Sequence, residues 1–177
     1  MEVLEGAERE RTRSIAAGFP EQLSLFPEFE SRMLGFVDMS DVAAESFVAV
    51  LNEFRPQWIM DLRVVPFFDL GGTSRRGFFQ LFQQLGIQYR DVSGRLGVTS
   101  RRDVKLNAEV AAQLMSEMMT REPERGLSGP VFVLLEEFRS VSVAAMTLPP
   151  LLQPRPKGGW VSRVFNAATL VDASSNG

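Results

Sequence analysis

The run Val131-Phe132-Val133-Leu134-Leu135 is apolar at every position, and this lack of alternation constrains the fold more than any other feature of the chain. A strand with one wet face alternates apolar and polar residues, whereas a strand covered on both faces carries a continuous apolar run. Trp58-Ile59-Met60-Asp61-Leu62 follows the same rule, broken only by its aspartate. Two such segments require helices on both faces of one sheet, and the rest of the sequence supplies them.

A short strand over 33–37 precedes Ser40 or Asp41 as a helix cap. Phe47, Val50, Leu51 and Phe54 then recur at helical spacing up to Pro56. After the strand 58–62, a loop with Pro66 and Gly71-Gly72 leads to Ser74, a second cap. Phe78, Leu81, Phe82 and Leu85 form one apolar face of the next helix, closed by Gly86. Ile87-Gln88-Tyr89 begins a third strand. The glycines and arginines from Ser93 to Arg102 predict a loop, after which Asn107 caps a helix bearing Ala111, Leu114, Met115 and Met118. A further helix is expected over 139–147, and Trp160 to Phe165 reads as an edge strand or a packed tail.

Strand and helix signals thus alternate four times along a chain of single-domain length, 177 residues. They predict an α/β single domain with a mainly parallel, Rossmann-like sheet, right-handed crossovers and helices on both faces. Its boundaries are an N-terminal arm over 1–30, the α/β domain over 31–148, and a C-terminal extension over 149–177 that ends in a frayed tail.

The chain contains neither cysteine nor histidine. That excludes disulfides, thiolate nucleophiles, zinc sites of the Cys or His type and an imidazole general base. Acid–base or phosphoryl-transfer chemistry would have to run on carboxylates, hydroxyls, Lys, Arg or Mg²⁺. No resident cofactor is implied beyond Mg²⁺ in the enzymatic alternative below. Residues 1–13 hold no continuous apolar segment, and no apolar run reaches 18 residues. The expectation is a cytoplasmic protein without signal peptide or membrane span.

Charge is unevenly spread. Between Arg63 and Lys105 eight basic residues stand against three acidic ones, while the whole chain carries −3. Arg63 follows a strand, and Ser74, Arg75 and Arg76 open a helix, so forked guanidiniums, a hydroxyl and helix-terminal N–H groups suit an anion. Arg90, after the third strand, completes the candidate anion-binding set. The competing reading pairs Arg63 with Asp61 or Asp91 as a structural tie. Asp61 and Asp91 could instead form a carboxylate pair for acid–base work or a hard metal, with Glu136 as a third member. Glu136 and Glu137 could equally cap or solvate the helix that follows.

Asp61-Leu62-Arg63, Pro66, Ser74-Arg75, Phe79, Gly86-Ile87-x-Tyr89 and Leu96-Gly97 together resemble the DUF488 family over about residues 33–97. The resemblance implies a small α/β domain. Usual members carry a histidine after the tyrosine region and a Cys-His-Arg element after a C-terminal strand. Here Arg90 and Asp91 follow Tyr89, and Leu135-Glu136-Glu137-Phe138-Arg139 stands where the second element would begin. The resemblance therefore implies a divergent or non-catalytic version, retaining anion binding through Arg63, Ser74 and Arg75.

Upstream, Gln22-Leu23-Ser24-Leu25-Phe26 resembles the bacterial sliding-clamp-binding pentapeptide at all five positions. Leu25 and Phe26 would enter an apolar groove and Gln22 would supply a polar contact. The alternative is that Leu23, Leu25 and Phe26 cover the chain's own domain. The leading functional expectation is a non-catalytic or divergent binding module for a phosphate-bearing ligand, nucleic acid or nucleotide, within a DNA-associated complex. Phe67, Phe68 and Tyr89 are candidates to stack on a base. The alternatives are a Mg²⁺-dependent nuclease or phosphotransferase using Asp61 and Asp91, and a structural subunit of a protein assembly.

Overall fold

The computed structural model describes residues 31–96, 108–121 and 129–167. The pentapeptide Gln22–Phe26, the arm as a whole, Arg101, Arg102, Lys105, Asn107 and the tail from 168 lie outside them. Five strands, β1 (Arg32–Asp38), β2 (Trp58–Asp61), β3 (Gln88–Asp91), β4 (Val131–Leu135) and β5 (Trp160–Phe165), form one sheet in the order β3-β2-β4-β1-β5. Every pairing is parallel, as the unbroken apolar runs predict. Between the strands lie α1 (Ala44–Phe54), α2 (Arg75–Leu85), α3 (Val92–Leu96), α4 (Ala108–Thr120) and α5 (Phe138–Thr147).

Alternate residues of the sheet feed two cores. Ile59, Phe132 and Leu134 meet Phe47, Val50 and Leu51 of α1 and Phe78 and Phe82 of α2 on one face. Phe36, Met60 and Val133 meet Ala111 and Met115 of α4 and Val141 and Ala144 of α5 on the other. Burying each large side chain contributes about 1.5–3 kcal/mol before ordering costs, and the residues named here are almost wholly covered. Connections that move toward β3 run over the α1–α2 face, and those that move toward β5 run over the α4–α5 face. All four crossovers therefore share one hand.

Local chemistry explains most boundaries. Ser74 caps α2, its Oγ accepting from the Gly77 N–H at 3.3 Å. Gly86 closes the helix at φ 70°, a left-handed conformation that carries no Cβ penalty at glycine. Gly35 of β1 serves packing, since a Cβ there would lie 2.7 Å from the Phe132 ring and 3.0 Å from the Phe165 ring.

Two expectations need correction, and a third is decided between its alternatives. Neither Ser40 nor Asp41 caps α1; Ala43 occupies that position without a side-chain bond, and Ser40 turns back to Asp38. The segment after β3 is not wholly loop, because the Asp91 carboxylate accepts from the Gly94 N–H at 2.7 Å as the chain turns into α3. Of the two readings of Trp160–Phe165, edge strand and packed tail, the structure shows the edge strand, paired with β1 along its length. Among the described residues no helix is long and apolar enough to cross a membrane.

Candidate functional site

The connection leaving β4 goes to the α5 face, while those leaving its neighbours β1 and β2 go to the α1–α2 face. Where chains part in this way, a crevice opens beyond the carboxyl ends of the strands. A cavity of about 590 Å³ lies there. Met39 and Ser40 enter it from the end of β1, Glu136 and Glu137 from the end of β4, and Arg63, Val65, Phe67 and Leu70 from the loop after β2. Its walls are thus drawn from the three central strands.

Arg63 is held by its own chain. Its Nε donates to Asp61 Oδ1 at 2.9 Å and its Nη2 to Asp61 Oδ2 at 2.7 Å, with both side chains almost fully buried. The Arg63 backbone N–H also donates to Asp61 Oδ1, and the Tyr89 hydroxyl donates to Oδ2 at 3.0 Å. Burial first, and then the adjacent Asp61 charge and hydrogen bond, push the Tyr89 pKa well above the usual tyrosine value. Nη1 of Arg63 donates to the Phe67 carbonyl at 2.7 Å, and the guanidinium lies 4.6 Å from the centre of the Phe68 ring. The ion pair therefore pins the loop after β2. Phe68 is anchored in the core, while Val65 and Phe67 stay 64% and 57% exposed.

The start of α2 is likewise occupied from within. The Arg75 backbone N–H donates to Asp69 Oδ1 at 3.1 Å, and the Arg75 guanidinium lies over Phe79. Arg76 is exposed in the first turn. Arg90 lies over Trp58, in the core beneath α4 and α5, and donates to its neighbour's carbonyl. Arg63, over Phe68, belongs to the opposite core. The structure therefore joins Arg63 to Asp61 and Tyr89, and separates Arg90 from that group by the sheet.

Asp61 and Asp91 are register partners on adjacent strands, but their carboxylates serve different groups. Asp61 accepts from Arg63 and Tyr89, and Asp91 from Gly94. Glu136 belongs to the crevice, at the end of β4, together with Glu137. Among the described residues no group of three or more Asp or Glu gathers in a way that could hold a metal ion.

The crevice thus combines an apolar wall, an aromatic lip, one hydroxyl and two carboxylates, and its single guanidinium is already paired. Sequence reasoning singled out Arg63, Glu136, Glu137 and Phe67, but not Met39, Val65 or Leu70, and it placed Ser40 at a helix cap. The signal that finds these residues is their position just past the ends of the apolar strands. Comparison of the chain with family models, with curated proteins and with solved structures gives no match.

Proposed function

We propose that this chain is a non-catalytic binding module for a nucleotide or for nucleotides of a single strand, with the base in the crevice at the ends of β1, β2 and β4. The observation that carries the reading is the exposed Phe67 at the lip of this cavity, on a loop clamped by Arg63 and anchored by Phe68. A rigid, exposed aromatic side chain is suited to stacking, which contributes about 1–3 kcal/mol per base. Ligands of open α/β sheets collect in such crevices.

The phosphate of such a ligand lies away from Arg63. With that guanidinium neutralised by Asp61 and two glutamates on the wall, a phosphate deep in the crevice would meet net negative charge. Phosphates are better accommodated outside, toward the exposed Arg75 and Arg76 at the start of α2. The commitments of Asp61 and Asp91 to hydrogen bonds favour binding over Mg²⁺-dependent transfer. Of the anion-binding set that the DUF488 resemblance implies, this reading keeps Arg75 and releases Arg63, whose guanidinium is paired with Asp61 in a buried network that also includes Tyr89.

Calorimetric titration at low salt with mononucleotides and short single strands tests the proposal. Binding is expected, about tenfold or more weaker after Phe67→Ala and modestly weaker at physiological salt. Absence of binding by every nucleotide and strand would overturn it.

A further inference from the structure

Among the described residues β5 pairs only with β1, which leaves the backbone groups of its outer edge without a strand. Large apolar side chains stand open beside this edge: Val143 and Met146 on α5 are 47% and 72% exposed, and Val161 on β5 itself is 54% exposed. Ser162, the next residue along β5, donates to the Ala145 carbonyl of α5, so Val161 emerges on the opposite face of the sheet. Charge sets the region apart as well. From residue 138 to residue 171 the chain has no acidic side chain, while Arg139, Arg155, Lys157 and Arg163 are all exposed. An open strand edge with apolar flanks and only positive charge fits an extended segment that is both apolar and acidic.

We infer that the occupant is this chain's own segment 21–30, docked along β5 as a sixth, antiparallel strand, independently of the crevice. The segment lies outside the described residues. It carries Glu21, Glu28 and Glu30, no basic residue, and the apolar Leu23, Leu25, Phe26 and Phe29. Its direction and reach follow from where β1 begins. Arg32 is the register partner of Trp160 and its N–H donates to the Gly159 carbonyl at 3.1 Å, so the chain enters β1 beside the start of β5. Crossing from β1 to the far side of β5 spans two strand spacings, about 10 Å, which residues 28–31 cover at about 3.3 Å each. The corner is open, since a Cβ added at Gly159 would meet no atom within 4 Å. Residues 22–26 then run beside the six residues of β5, with Leu25 and Phe26 on opposite faces. Glu28 and Glu30 come to the end of β5 that follows Arg155 and Lys157, and Glu21 to the end nearer Arg139 at the start of α5. A partner that takes Leu25 and Phe26 must first displace them from β5.

The chain has no cysteine, so engineered pairs in the full chain report contact directly. Leu25→Cys is combined in turn with Val161→Cys, Ser162→Cys and Arg163→Cys, all three exposed positions of β5. The control pairs it with Gln80→Cys, exposed on α2 beside the opposite edge strand β3. Each variant is oxidised at high dilution and resolved on a non-reducing gel, with circular dichroism confirming the fold. A disulfide within one chain is expected for at least one β5 position, forming about tenfold or more faster than in the control. Adding Arg155→Glu with Lys157→Glu should slow it severalfold. No bridge at any β5 position, or the same rate in the control, would overturn the inference. Bridges that form only between two chains would overturn it too, by placing the segment on a second copy.

Discussion

Replacing Asp61 by Asn tests the buried network most directly. The change preserves shape and leaves an oxygen for the Tyr89 hydroxyl, but it removes the carboxylate charge paired with Arg63, whose side chain is 3% exposed. The guanidinium would keep its bond to the Phe67 carbonyl and lose its charged partner. Breaking a buried pair in this way costs about 3–5 kcal/mol, whereas an exposed pair contributes about 0–1. Against a total stability of about 5–15 kcal/mol for a domain, the first figure is a large fraction. Urea denaturation followed by circular dichroism and by the fluorescence of Trp58 and Trp160 measures it. Asp61→Leu with Arg63→Met removes both charges at once and should recover much of the loss, because no buried charge is left uncompensated. A cost below about 1 kcal/mol for Asp61→Asn, or a double variant less stable than either single one, would refute the reasoning.

Tyr89 is the only tyrosine, so tyrosinate absorbance reports it alone. Its raised pKa means that above about pH 10 the unfolded chain releases a proton the folded chain keeps; the associated stability is complete below that value and falls as pH rises, by at most about 1.4 kcal/mol per pH unit. Tyrosinate should appear only with unfolding, and Tyr89→Phe should flatten this alkaline limb; titration of the native protein near the ordinary value would contradict it. Gly35→Ala, driving a methyl group against Phe132 and Phe165, should cost about 1–3 kcal/mol in a denaturation experiment, with part regained on adding Phe132→Leu. Ser74→Ala should cost about 1 kcal/mol by loss of the bond to Gly77, measured the same way.

The strands were legible where burial on both faces leaves a one-letter pattern, as at 131–135, and α2 was legible because its cap and its terminal glycine are local. Residues 40–43 were misread for a physical reason. Ser40 had two acceptable partners, the start of α1 and the Asp38 carboxylate, and tertiary position decided for the second. Sequence spacing brought Asp61 and Arg63 together correctly as one of two readings, since residues two apart at a strand end can fold onto each other. It could not show that Arg90 would leave the group, because the face on which a side chain emerges depends on register. The crevice itself required strand order, which joins the ends of β1, β2 and β4 although they are distant in the chain.

That strand order also bears on how the chain folds as it is made. Of the described strands β1 is synthesised first, yet its neighbours are β4 and β5, so its backbone N–H and C=O groups wait roughly a hundred residues for a sheet partner. At about 5–20 residues per second the ribosome needs several seconds or more to supply β4. The β2-α2-β3 unit, by contrast, closes within a stretch of about 30 residues and can assemble while β1 is still unpaired. In the interval β1 has no neighbour on either edge, and β5, the last of the described strands to emerge, is the one that finally covers its second edge.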